Sequence, residues 1–573
     1  MSKAGKLIRS YYPYFILAAA FGALLFWNAF YLENWLDSDM AAEMMFSRLL
    51  AEEGKLFATT GWYYSTEFRF LYTHLIMGPL FRICDNWHVI RMITNVIFYL
   101  LLLLSYFYMM AELPAEKNRK VLGGVVLLLP FSETMMLHMH MGNTYMSHVI
   151  ILFFYVGLFL RLVRTGKQKR GGKRSTGILF LWAVYLGLSV ICGVSGVRYM
   201  LALQCPLALA SVWYLASGKE CGELRKEISR EKLRAVFSGE RLRFLAVSLA
   251  GMFGCAAGYA VNVLYVSRTY SFQTYESTNF IDVYQGVFTQ RLQDAFGSLL
   301  MLFGYIPGKS VLSLRGMISL VAFLLLILLG YAAWRVRKEQ DTFRCFVVLL
   351  FYSSFLLNSF VFVFTNSTLV PRYYITTVIL LIPLTIFYLE GEDRPLDRYA
   401  VVFLLAGCLF LAAAKTGLSM MTSDKNANKK VIAQELEEMG YTFGYATYWN
   451  ANIVQELSNG RVEIANLHRA DDGSFSLFKW SSMQRYYEPD YPQGKVFLLL
   501  TEEEEQGMLR EGKTVQEDGG SGHFGEAGQE DTGGLRECGL LRVGREVFRG
   551  SGYVVYEYEN NADFLEAAQE VFS

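Results

Sequence analysis

Hydrophobic runs of about 18–24 residues, separated by shorter polar segments, fill most of the first 421 residues. Runs of this length are long enough to cross a bilayer as helices. The pattern predicts an α-helical polytopic membrane protein with about eleven transmembrane helices. Their expected positions are roughly 12–33, 89–110, 120–137, 145–164, 177–194, 199–216, 244–266, 311–334, 343–364, 373–390 and 399–420.

The polar segments between the runs predict the orientation. Residues 164–174, 217–243 and 335–338 are rich in Lys and Arg, and basic loops stay in the cytoplasm. Placing all three inside also puts the N-terminus inside and everything after about residue 421 outside. We therefore expect a multi-pass protein of the plasma membrane, with a cytoplasmic N-terminus and an extracytoplasmic C-terminal domain.

One apolar stretch of the first outer loop needs a separate interpretation. Residues 68–83, FRFLYTHLIMGPLFRI, are short for a span and are interrupted by Arg69, His74 and Arg82. We interpret this stretch as an interfacial or re-entrant helix. A true span is the alternative, and it would change the number of membrane crossings.

The chain divides into a transmembrane region, 1–421, and a C-terminal region, 422–573. In the C-terminal region, helical patterns such as NKKVIAQELEEMG alternate with strand-like runs such as KVFLLLT and GYVVYEYE. This alternation of helical and strand patterns predicts a small α/β domain. Residues 502–536 are acidic and rich in Gly, which predicts a disordered insertion.

Composition removes several classes of function. The chain is 53% hydrophobic and 18% charged, with a formal net charge of +1, and it has no basic domain or motif for nucleic acid. Its eight cysteines form no CxxC pair, and only Cys538 falls in the C-terminal region. We therefore expect no nucleic-acid partner, no internal disulfide in that region and no cofactor. A requirement for a divalent metal ion stays open.

Candidate chemistry begins directly after the first hydrophobic run, in DSDMAAEMM. Asp37, Asp39 and Glu43 precede or open a stretch with apolar positions at helical spacing, which Gly54 ends. The carboxylates therefore lie at the N-terminus of an interfacial helix. One interpretation is simple helix capping, which Asp favours. The other is that a carboxylate acts as a general base.

Cations for an anionic ligand are expected at the outer starts of two spans. Arg198 in GVSGVRYM and Arg372 in TNSTLVPRYY are each followed by Tyr, and Arg matches the geometry of phosphate. Lys309 in YIPGKS is a third candidate. The alternative is that these residues anchor the chain at the membrane interface, where Arg and Tyr are both common.

Further polar residues are expected to line a substrate cavity. His138 and His140 lack the i, i+4 spacing of a helical metal site, so they are predicted to contact substrate or to pack at the interface. Glu133 lies near the outer membrane boundary, where a carboxylate is costly unless it is paired or wet. The complete set predicted to line the cavity is Glu43, Glu133, His138, His140, Asn143 and Tyr373.

The segment from Asp39 to Gly54, DMAAEMMFSRLLAEEG, resembles the first outer loop of the C-type (GT-C) superfamily of polytopic membrane glycosyltransferases. That superfamily includes the protein O-mannosyltransferases and the lipid A aminoarabinose transferases. The resemblance is detailed over about residues 10–110 and elsewhere covers only the layout. The family often has Asp-Glu where this chain has Asp39-Met40, which leaves open whether Asp37 or Glu43 supplies a second carboxylate.

The resemblance implies a function at the outer face. A sugar would move, with inversion, from a polyprenyl-phosphate donor in the bilayer to an envelope glycan or glycolipid acceptor. Asp39 would be the general base, with Asp37 second, and Arg372, Arg198 and Lys309 would bind the donor phosphate.

Two other functions compete with this one. A transporter of lipid-linked intermediates would have inverted repeats and ionisable residues near the membrane midplane, and the sequence has neither pattern. A non-catalytic scaffold or sensor, with an outer domain that binds glycan, would tolerate neutralisation of Asp37 and Asp39.

Overall fold

The computed structural model describes residues 3–142, 144–165, 176–218, 239–273, 278–283, 286–391, 395–469, 475–488, 490–514 and 539–572. Within these residues, nine helices are long and apolar enough to cross a membrane, or ten if one bent pair is a single span. The protein is therefore a multi-pass membrane protein. The helices of eight of these spans are Lys3–Tyr31, Trp87–Ala111, Met146–Thr165, Thr176–Val194, Glu240–Val261, Leu314–Arg335, Thr342–Phe364 and Pro395–Thr422. The ninth span, Pro371–Glu390, consists of the segments Pro371–Tyr374, Ile375–Val378 and Leu381–Glu390.

The difference between nine helices and the eleven predicted runs has a simple cause. One run is a bent pair, in which Lys117–Leu128 and the helical segment Glu133–Met141 meet at 92°. Another run forms the shorter apolar helix Met200–Ala216. All eleven apolar runs are thus helical, but two of them are not full straight spans.

Short helical segments complete the membrane region. Several are π-helical or 3₁₀ turns that continue or precede a longer helix. They are Glu33–Trp35, Ser38–Glu52, His74–Leu80, Glu133–Met135, Met136–Met141, Met200–Gln204, Cys205–Ala216, Asn262–Val266, Ser267–Thr269, Val287–Leu302, Val336–Lys338, Pro371–Tyr374 and Ile375–Val378.

The segment between the first two spans, which the sequence predicts to lie outside, contains the helix Ser38–Glu52, here called the outer-loop helix. Asp37 is its N-cap, and its side chain accepts a hydrogen bond from the backbone N–H of Asp39 at 2.9 Å. The next helix, His74–Leu80, has seven residues and is therefore about 10 Å long. It is too short to cross a bilayer, so the alternative of a span at 68–83 is wrong.

The C-terminal domain is α/β, as predicted. A six-stranded sheet has the order β5-β4-β3-β7-β9-β8, and the central strand β3 is buried along its whole length. Strand β3 is parallel to β4 and β7, whereas β5, β8 and β9 pair antiparallel. These strands are β3 (Phe443–Thr447), β4 (Glu463–Arg469), β5 (Phe475–Leu477), β7 (Val496–Thr501), β8 (Arg545–Gly550) and β9 (Tyr553–Tyr558).

Helices of this domain cover the sheet, and one of them corrects the sequence prediction. Residues 502–514, expected to be disordered, form a helix that begins with four glutamates, a composition favoured at helix N-termini. The rest of the expected insertion, from 515, lies outside the described residues. The helices are Ala427–Glu438, Tyr448–Leu457, Gln484–Tyr487, Glu502–Thr514, Gly539–Val543 and Asn561–Phe572.

A small second sheet joins the C-terminal domain to the membrane region. Strand β1 (Trp62–Tyr64) of the first outer loop pairs in parallel with β2 (Ser271–Phe272) and antiparallel with β6 (Ser482–Met483) of the C-terminal domain. Three distant segments therefore share backbone hydrogen bonds.

A buried ion pair makes a second joint between the two parts. Arg91, in the helix Trp87–Ala111, has no exposed side-chain surface and donates to both carboxylate oxygens of Glu456 at 2.6 and 2.7 Å. It also donates to the backbone carbonyl of Met40 at 2.9 Å. The outer-loop helix is therefore held between the membrane region and the C-terminal domain.

Candidate active site

A cavity of about 760 Å³ lies where the outer-loop helix, the ends of several transmembrane helices and the C-terminal domain meet. Its wall contains both apolar and charged residues. The apolar residues of the wall include Val197, Leu201, Val361, Phe362 and Val370. The charged residues of the wall are Asp39, Glu43, Glu67, Arg69, Arg198 and Arg372.

Asp39 is held on this wall by two partners from distant parts of the chain. Arg372 Nη1 lies 3.1 Å from Asp39 Oδ2, and the Tyr448 hydroxyl donates to Asp39 Oδ1 at 2.7 Å. Burial acts to raise the pKa of Asp39, but the Arg372 charge and the Tyr448 hydrogen bond together lower it below its ordinary value. Asp39 is therefore an ionised, fixed carboxylate.

Asp37 has a different position and a different charge state. It caps the outer-loop helix and is not part of the cavity wall. Burial, with the neighbouring charge of Asp39, raises the pKa of Asp37 to about 6. Two carboxylates two residues apart thus titrate in different pH ranges, because only Asp39 has a cationic partner in direct contact.

Two more arginine–carboxylate pairs line the cavity. Arg69 pairs with the buried Glu43, which also accepts a hydrogen bond from Thr73 at 3.4 Å. Burial raises the pKa of Glu43 even though Arg69 opposes this shift. Arg198 pairs with Glu67. The charges of the wall therefore balance.

Aromatic rings surround the Arg198 guanidinium. Arg198 Nη1 donates to the Tyr145 hydroxyl at 2.9 Å, and the guanidinium lies 5.5 Å from the Tyr145 ring centre and 5.2 Å from that of Tyr373. These cation–π contacts hold the guanidinium in one place at the cavity.

Five of the residues predicted from the sequence line this cavity. They are Asp39, Glu43, Arg198, Arg372 and Tyr373. They come from the outer-loop helix and from the starts of two helical segments, as the topology required.

The other predicted lining residues are elsewhere. Glu133 accepts hydrogen bonds from Ser419 at 3.0 Å and Lys425 at 3.4 Å, because the 92° bend turns it towards the helix Pro395–Thr422. Lys309 is exposed and is not on the cavity wall. Neither of these two residues lines this cavity.

The two predicted histidines do not line the cavity either, although His138 contacts the wall residue Thr144. His140 is fully buried, and its carbonyl accepts a hydrogen bond from Asn28 at 3.4 Å. His138 shares a hydrogen bond with Thr144 Oγ1 at 2.9 Å. Both lie in the π-helical turn Met136–Met141, where helix packing buries the side chains. Asn143 lies outside the described residues.

Several residues that line the cavity were not predicted from the sequence. Glu67 and Arg69 carried a signal, since two opposite charges two residues apart precede an apolar stretch. Tyr448 is 409 positions from Asp39 in the chain, so no local pattern could pair these two residues. The others that the prediction missed include Tyr145, His148, Trp480 and Ser481.

No group of three or more His, Cys, Asp or Glu side chains that could hold a metal ion was found in the part of the chain that the structure describes.

Of the comparisons with known proteins, only the comparison with solved structures gave a match. No family model matches the chain, and no curated protein matches it. Among solved structures, the chain is similar to the crystal structure of the Archaeoglobus fulgidus oligosaccharyltransferase in the apo form. The sequence identity is 11%, the match covers 85% of this chain and 69% of that chain, and the TM-score is 0.41. The proposed function therefore rests on the site.

Proposed function

We propose that the protein is an integral membrane glycosyltransferase. It moves a sugar from a polyprenyl-phosphate donor to an envelope glycan or glycolipid acceptor, with inversion at the anomeric carbon. The observation that carries this proposal is the position of Asp39, which Arg372 and Tyr448 fix on the wall of a cavity lined by both apolar and charged residues.

The cavity suits a donor that is part lipid and part anion. Its volume lies within the range of small-molecule sites, about 300–1,000 Å³. Leu201 and Val197 are exposed apolar residues of the wall and can contact a hydrocarbon chain. Arg372 and Arg198 offer planar guanidinium groups for a phosphate.

The chemistry needs one base and one cation. An acceptor hydroxyl attacks the anomeric carbon while a carboxylate oxygen of Asp39 takes its proton. The new C–O bond forms as the bond from that carbon to the phosphate oxygen breaks, and the electron pair leaves with the polyprenyl phosphate. The leaving group is anionic, so it needs the charge of Arg372 rather than a protonating acid.

Orientation is part of the proposal. The basic segments 164–174, 217–243 and 335–338 are cytoplasmic, which puts the N-terminus inside and the cavity outside. A donor already activated as a lipid phosphate fits that location in the plasma membrane.

The test is the variant Asp39→Asn, which keeps the size of the side chain and removes its charge. We expect one polyprenyl-phosphate sugar to accumulate and one glycan substituent to disappear, measured by mass spectrometry of lipids and envelope glycans. Glu133→Gln is the matched control, because Glu133 is a paired carboxylate away from the cavity. Unchanged lipids and glycans at a normal protein level would favour a non-catalytic scaffold.

A further inference from the structure

The C-terminal domain contributes a short loop, residues 478–481, to the cavity. Trp480 and Ser481 both line the large cavity, together with Asp39 and Tyr448. Ser481 also lines a smaller neighbouring cavity next to Glu43. The loop therefore faces the same space as the proposed base.

Hydrogen bonds on both sides fix this loop. The Trp480 N–H donates to the Phe478 carbonyl at 2.7 Å, and the Trp480 carbonyl accepts from Asn466 Nδ2 at 3.0 Å. Strand β6 follows at once and pairs with β1 in the first outer loop. The loop is therefore anchored in the C-terminal domain and in the membrane region.

Ser481 has a φ of +45°, which places it in the left-handed region that residues other than Gly rarely adopt. Such strained backbone persists where the surroundings hold it, and it is concentrated at ligand sites.

Trp480 is supported from behind by other aromatic rings. It stacks on Phe478 at a centroid distance of 6.0 Å and an angle of 15°, and Phe478 stacks on His468 at 5.1 Å. Tyr448 meets the Phe478 ring edge-on at 5.7 Å. The indole of Trp480 is half-buried, so part of it stays accessible on the cavity wall.

We infer that Trp480 and Ser481 form the acceptor subsite, and that the acceptor is a pyranose unit of a glycan. This inference rests on the proposed function. A pyranose has an apolar C–H face that packs on a rigid aromatic ring, and its hydroxyls suit the Ser481 hydroxyl. The apolar wall at Leu201 and Phe362 takes the lipid donor from the membrane side. The acceptor then enters along the C-terminal domain.

The experiment uses substrates that the Asp39→Asn cells supply. The accumulated lipid-phosphate sugar and the unmodified glycan are extracted from those cells and given to the purified full-length protein. For Trp480→Leu we expect a KM for the glycan at least tenfold higher and a KM for the lipid donor within twofold of wild type. Trp480→Phe keeps a smaller aromatic ring and should raise the glycan KM by about twofold to fivefold.

The matched control is Trp449→Leu. Trp449 is in the same domain, 60% exposed and not on the cavity wall, so both KM values should stay within twofold. If Trp480→Leu is not produced in folded form, Trp480→Phe is compared with wild type, and an unchanged glycan KM overturns the inference.

Other results also overturn the inference. A higher KM for the lipid donor alone assigns Trp480 to the donor side, and two unchanged KM values leave it no role in either subsite. If the Asp39→Asn cells accumulate no lipid-phosphate sugar and lose no glycan substituent, the proposed function fails and the inference falls with it. If the Asp39→Asn cells accumulate the lipid-phosphate sugar and lose the glycan substituent as expected, but Trp480→Leu transfers the sugar with wild-type KM values, the inference is overturned and the proposed function stands.

Discussion

Arg372 Nη1 lies 3.1 Å from Asp39 Oδ2, and this ion pair joins two residues that are 333 positions apart in the chain. In the proposed reaction the two groups have different tasks. Asp39 takes a proton from the acceptor, whereas Arg372 balances the charge of the leaving phosphate. Arg372 lowers the pKa of Asp39 in this pairing, which keeps the carboxylate ionised until substrate is bound.

The first prediction concerns Arg372. Arg372→Ala removes the cation for the leaving group, and we expect kcat to fall by about 10²–10³-fold. Arg372→Lys keeps a charge without the planar fork and should lose less. Since Arg372 lowers the pKa of Asp39, the acid limb of the pH–rate profile of Arg372→Ala should move to higher pH. An unchanged acid limb would contradict the role of Asp39 as the titrating base.

Tyr448 offers a second, milder test of the same carboxylate. Tyr448→Phe removes one hydrogen bond that lowers the pKa of Asp39, so the pKa of Asp39 should rise. We expect the acid limb of activity to shift to higher pH, with a loss of about tenfold or less at neutral pH. The control is Tyr553→Phe, which removes one hydrogen bond to Asn450 in the same domain, away from the cavity.

The third prediction uses the raised pKa of Asp37. In the folded protein this pKa is about 6, against 3.8 ordinarily, so the folded state holds the proton more tightly than the unfolded state. The stabilisation is fully present below the unfolded pKa of 3.8 and is lost as the pH rises through the folded pKa of about 6, by about 3 kcal/mol in all. Asp37→Asn keeps the N-cap and cannot ionise.

The measured quantity is the Tm of Asp37→Asn minus the Tm of wild type at each pH. We expect it to become more positive between pH 4 and pH 6 and to level off above. A difference that is flat with pH would mean that Asp37 has the same pKa in both states.

Local pattern accounts for what could be predicted from the sequence. The transmembrane helices follow from apolar run length, and the cap of the outer-loop helix follows from Asp37 before a helical pattern. Asp39 and Arg372 were found because both stand at the outer starts of helices, where the topology brings loops together.

The rest depends on tertiary packing that no local pattern encodes. Glu133 was misplaced because its helix bends by 92°, which turns the carboxylate to Ser419. Tyr448 and Trp480 reach the cavity only because the C-terminal domain docks on the outer-loop helix. That docking relies on contacts such as Arg91 to Glu456, which join positions 365 residues apart.

The last prediction tests that docking. Glu456→Gln leaves Arg91 buried without its counter-charge, which costs about 3–5 kcal/mol of folding free energy. Removing both charges in Arg91→Met with Glu456→Met should cost less than either single change, because no buried charge is then left unpaired. The control is Glu437→Gln, whose partner Arg461 is 64% exposed, and it should cost under about 1 kcal/mol.

Thermal unfolding in detergent measures the loss of stability, and limited proteolysis shows which part of the protein unfolds first. We expect Glu456→Gln to expose the C-terminal domain to protease first, while the membrane region stays intact. Transfer activity should fall in parallel, since undocking removes Tyr448 and Trp480 from the cavity. Full activity with a detached domain would contradict any role of these two residues in the site, and the inference on Trp480 would be overturned with it.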